Sequence, residues 1–369
     1  MNKQILNVAL AVALSGSALS AHAASYIFTD LGTLGGTGSG ASAINNAGQV
    51  VGWADTVNDA AVHATLWNGT TATDLGTLGG IHSRAFAINA SGQVAGWSLT
   101  ANNAAQHATM WNGTTATDLD TLSDYSYARA INNSGQVAGA AYNANNGANH
   151  ATVWNGTTAT DLEMGDGGSF ANAINTAGQV AGGAYTANHE LHATVWNGTT
   201  ATDLGTLGGI DSEALAMNAS GQVAGWSDTA NGVIHATVWN GATATDLETL
   251  VGNYSGALAI NTAGQVVGWA YTANQELHAT LWNGTTATDL NSLLDASTVS
   301  AGWVLESASG INDNGWIVGK AYNPLLGIQS RAFLLTPVPE AETYTMILAG
   351  LGLVGYTAWR RKRLGLEVM

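Results

Sequence analysis

The chain of 369 residues contains no cysteine. That excludes a disulfide-stapled scaffold, a thiolate metal site and a cysteine nucleophile. Only 3 residues are proline, so a collagen-like chain is excluded as well. Charged residues make up 9% of the chain, and Lys and Arg together number 9. Against 25 acids this leaves a formal net charge of −16, and a nucleic-acid backbone finds no basic footprint on such a surface. What is abundant is Gly (47) and Trp (13), in a chain that is 46% hydrophobic. Such a hydrophobic share excludes a disordered chain. Glycine-rich turns between short aromatic-bearing strands favour β architecture.

Both ends read differently from the middle. Lys3, an apolar run from Ile5 to Leu19 and Ala21-His22-Ala23 form a basic start, a short apolar core and a small-x-small site. Residues 1–23 therefore read as a secretory signal peptide cleaved after Ala23. At the other end, Pro337-Val338-Pro339-Glu340 precedes an apolar stretch from Thr345 to Trp359 and the cluster Arg360-Arg361-Lys362-Arg363. Those 15 apolar or small residues are fewer than the ~20 of an ordinary spanning helix. The order and spacing of 337–363 resemble the PEP-CTERM sorting signal of Gram-negative bacteria. Ala341 stands where that signal usually has its second proline. The resemblance implies cleavage near Pro339-Glu340 by a membrane protease, an exosortase, with 364–369 as a short tail. It also implies export across the inner membrane, transient anchoring by the C-terminal helix, and delivery to the cell surface or exopolysaccharide. The body, 25–336, keeps 22 acids against Arg84, Arg129, Lys320 and Arg331, a net −18.

The body is one unit repeated. Thr-Asp-Leu recurs at Asp30, Asp74, Asp118, Asp161, Asp203, Asp246 and Asp289, at spacings of 44, 44, 43, 42, 43 and 43. Such periods mark propellers, solenoids or arrays. Each unit divides into four short strands. Strand a is a small-residue run ending Ala-Ile-Asn, followed by an Asn-x-x-Gly turn. Strand b is Gln-Val-Val/Ala-Gly-Trp. Strand c is His-Ala-Thr-x-Trp, followed by an Asn-Gly hairpin turn. Strand d is Thr-Ala-Thr-Asp-Leu. The body opens on a lone strand d, Tyr26 to Leu31, and ends on a strand c without its d, Arg331 to Leu335. These halves make one unit, which predicts an all-β, seven-bladed β-propeller of four-stranded repeats closed by the first strand. A β-solenoid is the alternative. The near-invariant small residues of strand a suit the narrow axis of a ring, and the Trp side chains suit the widening space between blades.

Asp-Leu-Gly-Thr-Leu-Gly-Gly at Asp30 and Asp74, the Ala-Ile-Asn-x-x-Gly-Gln-Val strings and the His-Ala-x-x-Trp strings resemble extracellular HAF-repeat proteins, with Thr mostly in place of the family's Phe. This resemblance implies export and reveals no activity.

A residue present in every unit serves the unit's fold. The six strand-c histidines are therefore expected to bond within their own blades rather than share a metal, and the seven Thr-Asp-Leu aspartates to be buried acceptors of backbone amides. Gly35-Gly36, Gly79-Gly80 and Gly208-Gly209 read as blade linkers. Ligand recognition is expected where units differ, in two strand-a columns read as lining the channel together. These hold Arg84, Tyr127, Arg129 and Glu213, charged and aromatic groups that suit a sugar or an acidic glycan. No catalytic residue, metal or cofactor is expected. The function read here is an exported, non-enzymatic cell-surface or exopolysaccharide-matrix repeat protein with weak glycan binding. The alternative is a glycan-acting lyase or hydrolase at the propeller mouth. Expected partners are an exosortase and exopolysaccharide, not nucleic acid, with membrane contact only through the C-terminal segment.

Overall fold

The computed structural model describes residues 26–119, 125–145, 147–162 and 167–338. Ala23, Pro339 and Glu340, the expected processing positions, lie outside them. The turn residues dictate where each repeat folds back. In the first unit strand a is Gly35–Ile44, b is Gln49–Thr56, c is Val62–Asn68 and d is Thr71–Asp74. Between a and b, the Asn45 side-chain oxygen accepts the amides of Ala47 and Gln49, and Gly48 takes the left-handed conformation (φ 82°). Between c and d, Gly69 does the same (φ 57°), as an Asn-Gly hairpin turn requires. Gly35, Gly79 and Gly208 prove to open strand a rather than link blades; the linkers proper are the four residues before each of them.

Seven such antiparallel sheets form the ring of a seven-bladed β-propeller. Blades 1–6 are residues 35–74, 79–118, 126–161, 169–203, 208–246 and 251–289. Blade 7 takes a, b and c from Val304–Ile311, Ile317–Asn323 and Ile328–Pro337. Its strand d is Tyr26–Asp30, paired from Tyr26↔Pro337 to Asp30↔Phe333. The first strand therefore closes the ring.

Apolar burial lies between blades. Each strand-c Trp packs onto the preceding blade: Trp111 meets Val51, Ala64 and Leu75, and Trp154 meets Ala95, Ala108 and Leu119. All six are fully buried. In blade 7 Leu335 holds the Trp register, and Phe28, Trp303 and Phe333 fill the remaining volume. A one-residue bulge interrupts strand a in every blade, between Ala41 and Ala43 in the first. At the bulge the strand-a carbonyl comes so close to strand b that a Cβ on Gly139 would lie 2.0 Å from the Tyr127 oxygen. The strand-b Gly of the repeat has this cause, and all seven blades share it.

A second series of bonds runs around the axis. The Asn45 side-chain amide donates to the Asn89 carbonyl, Asn89 to Asn132 and Asn132 to Asn175, each at 3.1 Å. The Asn175 side-chain amide donates within its own blade, to Gln179. The series resumes with Asn218 to Asn261 and Asn261 to Asn312 at 3.2 Å and Asn312 to Asn45 at 3.0 Å, so six of the seven blade junctions carry the bond. The Asn of Ala-Ile-Asn thus ties neighbouring blades together at one mouth of the channel.

Candidate functional site at the channel mouth

The bulge decides which strand-a residues see the channel. Phe86, Arg129, Asn172, Leu215, Leu258, Ser309 and Ser42 line a cavity of about 270 Å³. Below it, a layer of Ile side chains with Met217 separates this cavity from one of about 250 Å³ at the Asn mouth. The other column, expected to share this lining, does not. It packs beside strand b with complementary volumes. Gly40 and Gly256 lie beneath the rings of Trp53 and Trp269, while Phe170 sits over Gly183.

Three of the four candidate residues meet. Glu213 accepts from Asn172 Nδ2 of the preceding blade at 2.9 Å and from Trp226 Nε1 of its own at 3.1 Å. Arg129 lies over the Phe86 ring (4.4 Å to the centroid) and beside the Tyr127 ring (5.2 Å). Such cation–π contacts contribute about 0.5–2 kcal/mol each and leave the guanidinium edge free to donate. Burial raises the Glu213 carboxyl above its ordinary range, opposed by the two hydrogen bonds and by the Arg129 charge. Burial also raises the Tyr127 hydroxyl; Arg129 pulls it down, and Tyr125 and Glu213 push it up. Arg84 sits apart. Its guanidinium lies over Trp53 of blade 1 (5.0 Å), and burial lowers its pKa against the opposing charge of Asp55. Asn172, Phe86, Trp226 and Trp53 were not picked out as candidates. Asn172 and Phe86 stand in the same variable column as Arg129, and that is the signal that could have found them.

The raised Glu213 pKa has a consequence for stability. The folded state binds this proton more tightly than the unfolded state, so the stability it contributes is present at low pH and lost as pH rises through the raised value. Thermal melts should therefore show Glu213→Gln gaining on the parent between pH 4.5 and neutrality. The rearranged hydrogen bonds add a pH-independent offset that does not alter this trend. Parallel curves would contradict it.

The repeated polar groups behave as structure. Each strand-c His places Nδ1 2.6–2.9 Å from the strand-d Asp eleven residues later. The bonds stay within each blade, as expected. The aspartates are not buried, however. Their side chains are 26–49% exposed in these six pairs, because in Thr-Asp-Leu the Leu takes the interior position. Several also accept the amide two residues on, as Asp74 does from Gly76. In blade 7 Arg331 replaces the His and lies 3.6 Å from Asp30 across the closure. Among the described residues no group of three or more His, Cys, Asp or Glu could hold a metal ion.

Residues 337–363 match the PEP-CTERM protein-sorting motif. This motif marks export and transient membrane anchoring by an exosortase-substrate signal. Among the described residues no helix is long and apolar enough to cross a membrane. Comparison with curated proteins finds no match. Among solved structures, TolB from Acinetobacter baumannii is similar at 12% identity over 79% of this chain and 80% of that one, with a TM-score of 0.46. A variant of Aleuria aurantia lectin in complex with alpha-methyl-L-fucoside is similar at 11% identity over 72% and 96%, with a TM-score of 0.39. A puromycin-hydrolyzing peptidase from Mycobacterium tuberculosis is similar at 11% identity over 80% of this chain and 50% of that one, with a TM-score of 0.48.

Proposed function

We propose that the propeller is a non-enzymatic glycan-binding protein of the cell surface or exopolysaccharide matrix, akin to the HAF-repeat proteins its motifs resemble. The observation that carries this reading is the cluster of Phe86, Tyr127, Arg129, Asn172 and Glu213 at one channel mouth. Aromatic faces stack on the apolar face of a pyranose ring, and adjacent carboxylate, amide and guanidinium groups bond its hydroxyls. Tyr125, Tyr142, Tyr185 and Tyr254 add exposed rings on the same side of the disc. The carboxylates crowding that side repel a polyanion, so neutral or amino-bearing sugars are the favoured class.

A glycan array tests this. The parent protein binds neutral or amino-bearing glycans, and Tyr127→Ala and Arg129→Ala each weaken binding by about tenfold, the scale of one desolvated cation–π contact. No binding by the parent, or binding untouched by both variants, overturns the reading.

Glu213 favours a second reading. A carboxyl raised by burial beside Tyr127 and Arg129 is the equipment of a glycan lyase or hydrolase. Product released from a polysaccharide by the parent and abolished in Glu213→Gln would replace the non-enzymatic proposal.

A further inference from the structure

The two faces of the disc differ in charge. One face, the Asn face, carries the seven a–b turns, including Asn45–Gln49, and the six c–d hairpins. These turns are built of Asn, Thr, Ser, Ala, Gly and Gln, and the final one adds Trp316. Asp313 is the one ionisable side chain in them. Burial raises its carboxyl, but its hydrogen bonds with Thr262 and Asn46 together outweigh this and hold it below the ordinary range. The other described carboxylates lie in the strands, linkers and b–c loops towards the opposite face, among them Asp55, Asp59, Asp228 and Glu276.

The sorting motif leaves from the Asn face, on which Asp313 is the one ionisable turn side chain. Strand c of blade 7 ends at Pro337, whose ring lies 3.6 Å from where a Gly315 Cβ would stand in the last a–b turn. Tyr26 is paired with Pro337, so the chain also enters the body on this face. Two apolar side chains are exposed beside the exit, Ile27 (52%) and Val338 (40%). From residue 338 to the apolar stretch beginning at Thr345 there are seven residues, a reach of at most about 25 Å. A seven-residue strand c is itself about 23 Å tall. A tether of that reach is all but used up in passing along one blade, so bringing the opposite face to the bilayer would require it to be fully extended, at a cost in conformational entropy.

We infer that the Asn-paved face is a membrane-apposed surface while the C-terminal segment is anchored. It rests against an anionic leaflet and presents the acidic, aromatic face and the Arg129 cluster outward. Charge and tether length act in the same direction. Carboxylates within a Debye length of an anionic leaflet, about 8 Å, are repelled, and a face whose turns carry Asp313 alone is repelled far less than the carboxylate-crowded one. The inference stands on the sorting motif and the topology, and it does not require the outward face to bind a glycan.

The cysteine-free chain suits a direct test. Thr157→Cys places one thiol on the Asn face in blade 3, and Ala230→Cys places one in the b–c loop of blade 5 on the other face; both positions are exposed. Each full chain is reconstituted into phosphatidylglycerol–phosphatidylcholine vesicles, recovered by flotation so that only anchored protein is read, and labelled with polyethylene glycol maleimide. The labelling rate is divided by that of the same variant in detergent. The expected result is a several-fold loss at Thr157→Cys and none at Ala230→Cys. Equal ratios, or stronger protection at Ala230→Cys, overturn the inference. Repeating the measurement in pure phosphatidylcholine separates its two causes, because the tether's contribution remains and the charge contribution falls away.

Discussion

Gly139→Ala is expected to cost about 3 kcal/mol, the upper end of ordinary overpacking, although it adds a single methyl group. That methyl would lie 2.0 Å from the Tyr127 carbonyl oxygen and 2.9 Å from the Ala128 Cα, both backbone atoms that no rotamer change can move. Relief requires strand b to separate from the bulge, which breaks the pairing of Ala128 with Gly139 and disturbs the channel wall. Gly113→Ala is the control. Its c–d turn holds φ at 59°, yet nothing lies within 4 Å of the added Cβ. Only the left-handed conformation is penalised there, at about 1 kcal/mol. Urea midpoints for the two variants should differ in that order. Equal midpoints would mean that the bulge relaxes freely.

Removing Tyr26–Asp30 is expected to abolish the monomeric propeller. Five register pairs disappear, Tyr26 and Phe28 leave the cluster between blades 6 and 7, and Arg331 loses Asp30. Strand c of blade 7 then offers an open edge for pairing with another chain. Size-exclusion chromatography with light scattering should find oligomers or aggregates. A peptide of residues 26–31 supplied in trans should restore the monomer by strand addition. A stable truncated monomer, unaffected by peptide, would show that the ring closes without its seventh outer strand.

Much of this was legible in the sequence because the repeat compares the protein with itself. The period and the split unit at the ends lead to seven blades and their closure. The Asn-x-x-Gly and Asn-Gly strings lead to the turns, and the six His residues to bonds inside blades. What resisted reading was the side on which certain residues fall. Strict alternation puts residues 127 and 129 on one face of a strand, so alternation alone reads both variable columns into the channel. The bulge between Ala128 and Ala130 breaks that alternation, and only Arg129 enters the lining while Tyr127 flanks it. Arg84 was grouped with Arg129 for the same reason, yet it stacks on Trp53 of the adjacent blade. The series of Asn contacts was also hidden, because its bonds join residues 43 to 51 apart and the last joins Asn312 to Asn45.

The outer strand of blade 7 carries Tyr26, Ile27 and Phe28 where the other blades have Thr and Ala. Its partner, residues 333–337, lies about 300 residues further along the chain. This apolar strand therefore has the partner most distant in sequence of all the paired strands. Pairing across so large a sequence separation carries the largest loop-closure cost of any strand pair in the ring.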